Sequence, residues 1–321
     1  MPELSINANG AVTQAPADLT ESRPTAVKKT GKGTDPFQNR SGARVFSAVT
    51  RWLVRVAAFL TAAVLVLIVG YILVRGIPNL KPSLFAWEYN SDNVSLVPSL
   101  INTVLMTLLS LLVATPLGVF AAIYLVEYAP RGSKLVKVVR VTAETLQGIP
   151  SIVYGLFGML FFVGTLHFGM SLLAGALTMS IMILPLIMRT TEEALLAVPD
   201  SYREGSFGLG AGKLRTVFSI VLPPAMPGIL SGIILGTGRI VGETAALIYT
   251  AGSTARMASG ADFLFDSTRT LAVHMYVLSS EGLHVGEAFG TAVVLLVLVL
   301  GINALSSFIA GKLTKGNQND E

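Results

Sequence analysis

Apolar residues fall into six long runs along this chain, and polar residues collect between them. The runs cover about 52–74, 100–126, 147–166, 169–188, 228–251 and 285–310. A hydrocarbon core about 30 Å thick needs roughly 20 apolar helical residues, so each run predicts a transmembrane helix. Pro116 interrupts the second run, and Pro150 stands near the start of the third. The expected fold is an all-α integral membrane protein with its spans inside 46–315. Connections are short except 189–226 and 252–284. Residues 1–45, rich in Thr, Gly, Pro and Lys, bury too little to order themselves and are expected to form a disordered basic tail.

Charge sets the orientation. Seventeen Lys and Arg lie in the N-terminal tail, after the second and fourth runs, and in the C-terminal tail. Only Lys81, Arg256 and Arg269 lie on the other side, with Arg75 at the border. The positive-inside rule then puts both termini in the cytoplasm, and an even number of spans agrees. The chain is 52% hydrophobic and 13% charged, with a mean hydropathy of +0.66, too apolar for a soluble domain of this length. Its pI near 9.3 calls for no nucleic acid, because the basic residues cluster beside apolar runs. The first 50 residues hold no apolar h-region, so no cleavable signal peptide is expected. With no cysteine, disulfides, thiolate metal sites and a cysteine nucleophile are excluded.

The fifth run carries the sharpest chemical signal. Arg239 and Glu243 sit four residues apart in the middle of GIILGTGRIVGETAALIYTAG, where a charge costs several kcal/mol or more. On a continuous helix they share one face. One reading is a self-neutralising pair; the other gives them separate tasks. An arginine offers a planar fork of donors suited to phosphate oxygens and stays charged. Arg239 would then line an anion path and Glu243 would hold it, with Gly236, Gly238 and Gly242 leaving room. Ser151 and Thr244 are candidate hydroxyl donors. No cofactor is called for, and His274 and His284 stand too far apart in sequence for a metal site.

The connection 189–226 contains GLGAGKL, which fails as a phosphate-binding loop. Phe207 stands where the first glycine belongs, and Leu214 where Ser or Thr should bind magnesium. It predicts instead two short helices around a glycine turn, starting at Pro199 and stopped at Pro223–Pro224. Tyr202, Phe207 and Leu209 make it a docking knob or, alternatively, a loop at the lipid headgroups. EGSFGLGAGKLRTVFSIVLP resembles the EAA loop of binding-protein-dependent ABC importer permeases, with Glu204, Gly210, Ile220, Leu222 and Pro223 in register. Gly205 and Ser206 replace the two alanines and stay small. GIPSIVYGLFG, RTTEEAL, GRIVGETAALIYTAG and LAVHMYVLSSEG together are similar to the phosphate-importer permeases of the PstA type. The resemblance covers roughly 50–310.

That resemblance implies a six-helix type I importer (MetI-like) fold and a coupling loop at 199–224 seated in a cleft of a cytoplasmic ATPase dimer. It also implies a PstC-type second permease subunit, a periplasmic or lipid-anchored phosphate-binding protein, and Arg239 and Glu243 on the phosphate path. ATP hydrolysis would reside in the partner, so the chain itself is not an enzyme. Another oxyanion, molybdate or sulfate, is the alternative substrate. A self-sufficient secondary transporter is a further one, although it would need no cytoplasmic knob and would more often show matched broken helices in two halves. Arg140, Glu144, Arg189 and Glu192 read as topology markers at membrane ends. The external 252–284 segment is a candidate contact for the binding protein.

Overall fold

The structure is a computed structural model that describes residues 40–130 and 132–316; most of the predicted tail therefore lies outside the described residues. The chain divides into two units, Met1–Ala62 and Ala63–Glu321. In the first, the described part is the beginning of α1 (Arg40–Gly76), whose Trp52, Val54 and Phe59 are exposed.

The second unit is helical throughout, with no strand among its described residues. Its long helices are α2 (Val97–Ile123), α5 (Leu172–Leu196), α8 (Leu222–Val241) and α11 (Val285–Gly316). Shorter ones are α3 (Lys134–Gln147), α4 (Ser151–Gly158), α6 (Asp200–Gly208), α7 (Lys213–Arg215), α9 (Ala245–Thr250) and α10 (Leu271–Glu281). Helix α5 is the axis of the unit. Two-thirds of its apolar window is buried, against 28% for α2. Its Met179, Met182, Ile183 and Ile187 join Met106 and Ala114 of α2 and Ile240 of α8 in the main core.

Several polar residues on the buried faces are satisfied within the helices. Thr103, Thr107 and Ser110 of α2 each donate to the carbonyl four residues back, at 2.6–2.7 Å. Ser180 of α5 reaches both the Ala176 and Ser110 carbonyls, tying the two core helices together. Small residues let α5 and α8 approach closely: a Cβ on Gly232 would stand 1.9 Å from Thr190 Oγ1.

Two apolar runs depart from simple spans. In the third, α3 and the helix beginning at Ser151 meet at 103° across Gly148–Pro150. Pro150 lacks the N–H needed to continue the α3 ladder. The straight portion after the corner, 151–165, is about 22 Å long, short of the hydrocarbon core. In the fifth, the expected stop at Pro223–Pro224 is absent and a single helical span runs Lys213–Val241. The prolines occupy the first turn of α8, where a missing N–H costs little. That span then ends where the sequence pattern predicts continuation: residues 242–244 break it and α9 restarts at Ala245.

Three segments, Tyr124–Tyr128, Met159–Thr165 and Thr216–Val221, adopt the wider turn in which each N–H reaches the carbonyl five residues back.

Candidate functional site

Arg239 lies in the last turn of α8, half-buried, where its charge faces the negative end of the helix dipole. The expected face-sharing pair with Glu243 does not form, and the two make no ion pair. The physical reason is the break. Gly242 ends α8, with its N–H bonded to the Gly238 carbonyl at 3.3 Å, and Glu243 N–H bonds to Ile240 O at 3.1 Å. Glu243 Oε1 then accepts the Ala246 N–H at 3.2 Å. This carboxylate caps the start of α9 rather than neutralising Arg239. Thr244 is the residue on which α9 begins.

Helix α4 packs on the restarted helix. A Cβ on Gly155 would lie 2.7 Å from the Ala246 Cα, so glycine is required for the approach. Ser151 opens α4, and one turn on stands buried Tyr154, whose hydroxyl donates to the Leu146 carbonyl of α3 at 2.8 Å. The break thus brings Arg239 and Thr244 to two facing helix ends, with Glu243 engaged in the capping bond and the Tyr154 hydroxyl already given to the Leu146 carbonyl. Such an arrangement offers a permanent cation and a hydroxyl donor to an oxyanion. Of the three glycines expected to leave room, Gly238 faces open space, while Gly236 lies in ordinary contact with Ile183 and Ile187.

The 199–226 segment takes its expected helical form at α6. The Ala211 N–H bonds to Ser206 O and the Gly210 N–H to Phe207 O, with Gly210 at φ +81°. This is a Schellman turn, and its left-handed residue favours glycine. Ser206 and Thr216 hydroxyls meet at 2.8 Å and close the turn onto the next helix. Tyr202, Glu204, Gly205 and Gly210 are exposed, with Leu209 92% exposed at the tip. Tyr202, Gly205, Ser206, Gly210 and Ile220 line a concavity of about 460 Å³, while Leu222 and Pro223 are half-buried and do not line it.

Sequence spacing missed what anchors this segment. Arg203, on the inner face of α6, pairs with Glu127 at 2.7 Å, and both side chains are largely buried. It also donates to Val198 O at 2.8 Å and Leu195 O at 2.9 Å, at the C-terminal end of α5. Arg140 pairs with Glu192, and Arg189 reaches Glu144 at 3.7 Å and Glu193 at 3.1 Å. These residues, read from sequence as topology markers, fasten α3 to α5. A carboxylate such as Glu127, at the end of an apolar run, is the available signal that a buried cation must exist elsewhere.

The family described as "binding-protein-dependent transport system inner membrane component" matches residues 114–317. YqgI of Bacillus subtilis, a probable ABC transporter permease, is 31% identical over 273 residues, 80% of this chain and 92% of that protein. The phosphate transport system permease PstA 1 of Mycobacterium tuberculosis is 36% identical over 213 residues, 66% and 69% of the two chains. Among solved structures, the inward-facing MetNI methionine ABC transporter aligns with a TM-score of 0.53 at 20% identity, over 76% of this chain and 97% of that one. Its helices thus take the ABC importer permease fold, and the chain belongs to the family of binding-protein-dependent transport system inner membrane components.

Proposed function

We propose that this chain is a membrane-spanning subunit of an ATP-driven importer of inorganic phosphate, working by alternating access. The observation that carries the reading is one continuous span, Lys213–Val241, which starts in the coupling segment and ends on Arg239. At 29 residues it is about 44 Å long, enough to link a cytoplasmic surface to a cation at membrane depth. The named phosphate permeases among its relatives support the choice of anion.

Arg239 lines the path, with Ser151 and Thr244 as hydroxyl donors. Glu243 keeps α9 in register, so that Arg239 stays at a helix end rather than inside a longer helix. Tyr202, Glu204, Gly205, Ser206, Gly210, Ile220, Leu222 and Pro223 form the surface that docks an ATPase dimer. A PstC-type permease completes the membrane pair, a periplasmic or lipid-anchored protein delivers the anion, and both termini face the cytoplasm. In proteoliposomes holding the purified complex, Arg239→Gln should abolish phosphate uptake while co-purification of the ATPase stays intact. Uptake at the normal rate would sink the proposal. Stronger competition by molybdate or sulfate than by unlabelled phosphate would reassign the substrate.

A further inference from the structure

A second cationic centre lies at the end of α2 opposite to Glu127. Asn102 of α2 is fully buried and stands 25 residues before Glu127, or about 38 Å along the helix. Its amide donates to the Arg256 carbonyl at 2.9 Å and the Arg269 carbonyl at 3.5 Å, and its oxygen accepts the Ala258 N–H at 3.1 Å. One side chain therefore fixes two arginine-bearing segments beside each other.

The two arginines differ in setting. Arg256 is exposed and lines a cavity of about 540 Å³ with Trp87, Glu88, Tyr89 and Thr254. Arg269 is 4% exposed and lies over the Tyr89 ring, 4.7 Å from its centroid. Its Nε and Nη2 have no hydrogen-bond partner, and no described carboxylate pairs with it. His274, wholly buried and edge-on to the same ring at 6.1 Å, brings no negative charge. A guanidinium cannot shed its proton, and burying it uncompensated is strongly unfavourable. The electrostatics of this end are incomplete without an anion.

We infer that the cavity and the guanidinium beside it form an outer oxyanion site, in which Arg256 attracts a tetrahedral oxyanion and Arg269, across Tyr89, holds it. The inference rests on reading the chain as an oxyanion importer, yet uses no residue of the Arg239 path. The cavity falls in the size class of small-molecule sites, and the aromatic Tyr89 shields its charge from water. Two carboxylates stand near the cavity: Glu88 is exposed, and Asp266 is engaged by the backbone N–H of Ser259 at 3.2 Å. A small anion suits a nearly buried fork better than a docked protein's carboxylate, which would have to thread past Tyr89.

The test uses the intact complex in nanodiscs without its binding protein and without nucleotide, following heat stability against inorganic phosphate, with chloride at matched ionic strength. Phosphate should stabilise the complex in a saturable way. Arg269→Met should raise the half-saturating phosphate at least about tenfold, while Lys137→Gln, a change at an exposed position of α3, leaves it within about twofold. Arg269→Lys, which keeps the charge but loses the fork, should fall between them and covers the case in which the methionine variant does not fold. Arg256→Gln, a surface change, should weaken stabilisation about threefold or more. Equal phosphate stabilisation in wild type, Arg269→Met and Arg256→Gln overturns the site. So does stabilisation that appears only when the binding protein is added and ignores phosphate, which would make the missing anion a protein carboxylate. Stabilisation by sulfate or molybdate but not phosphate keeps the site and fails the phosphate reading instead.

Discussion

Arg203 and Arg269 are both largely buried, and their surroundings are opposite. Arg203 meets Glu127 and two backbone carbonyls. Arg269 meets an aromatic face and nothing negative. In the first case every donor has an acceptor, so the arginine joins α6, the end of α2 and the end of α5 into one block. In the second the unfilled donors store an electrostatic demand that a visitor can meet. Burial alone therefore does not separate a structural arginine from a binding one; the tally of acceptors does.

The largest effect is expected from breaking the paired arginine. Glu127→Ala leaves Arg203 buried without its carboxylate, at a cost of about 3–5 kcal/mol. It should collapse both heat stability in detergent and uptake, and the exchanged pair Glu127→Arg with Arg203→Glu should recover part of each. Next comes a contrast in sign. Arg203→Met should destabilise the anion-free complex, whereas Arg269→Met should leave it unchanged or raise its stability by about 1–3 kcal/mol, as removal of unsatisfied buried donors does. Equal losses in both variants would erase the distinction. A smaller effect is expected at Gly210, where a side chain at φ +81° costs about 1–2 kcal/mol. Gly210→Val should lower the ratio of phosphate moved to ATP hydrolysed more than it lowers stability.

The effect that is smallest at neutral pH, and grows only in acid, is that of His274. Burial, and secondarily Arg269, hold the His274 pKa down from 6.5 to about 3. The unfolded chain then binds the extra proton first. Stability from this residue is complete above pH 6.5 and drains away as pH falls toward 3. Melting curves across that window should flatten in His274→Gln; an unchanged acid limb would show that His274 is protonated in the folded protein.

The apolar runs were legible because lipid leaves little choice: roughly 20 apolar residues must cross together. The coupling turn was legible too, since Gly210 and its neighbours carry their own backbone signal. The break at 242–244 was not. Placing Arg239 and Glu243 on one face assumed an unbroken helix, and Glu243 instead spends its carboxylate on a backbone amide that only the break creates. Nor could spacing pair Glu127 with Arg203, 76 residues apart. Arg269 read as one more external charge, because the emptiness around a guanidinium has no sequence signature. Each miss involves a partner supplied by tertiary packing.

The wide turn Thr216–Val221 lies between the exposed Leu209 tip and the helix that carries Arg239. A turn of this kind holds one surplus residue, and one residue of helix corresponds to about 100° of rotation. The two ends of the lever are thus geared by a single amino acid. Removing one residue there would let the segment relax to an ordinary helix and turn the Leu209 knob through about a quarter of a revolution relative to Arg239. Such a deletion would spare every named contact residue and still present the knob on the wrong side. In this protein the spacing between the two functional ends is as much a coding element as the residues themselves.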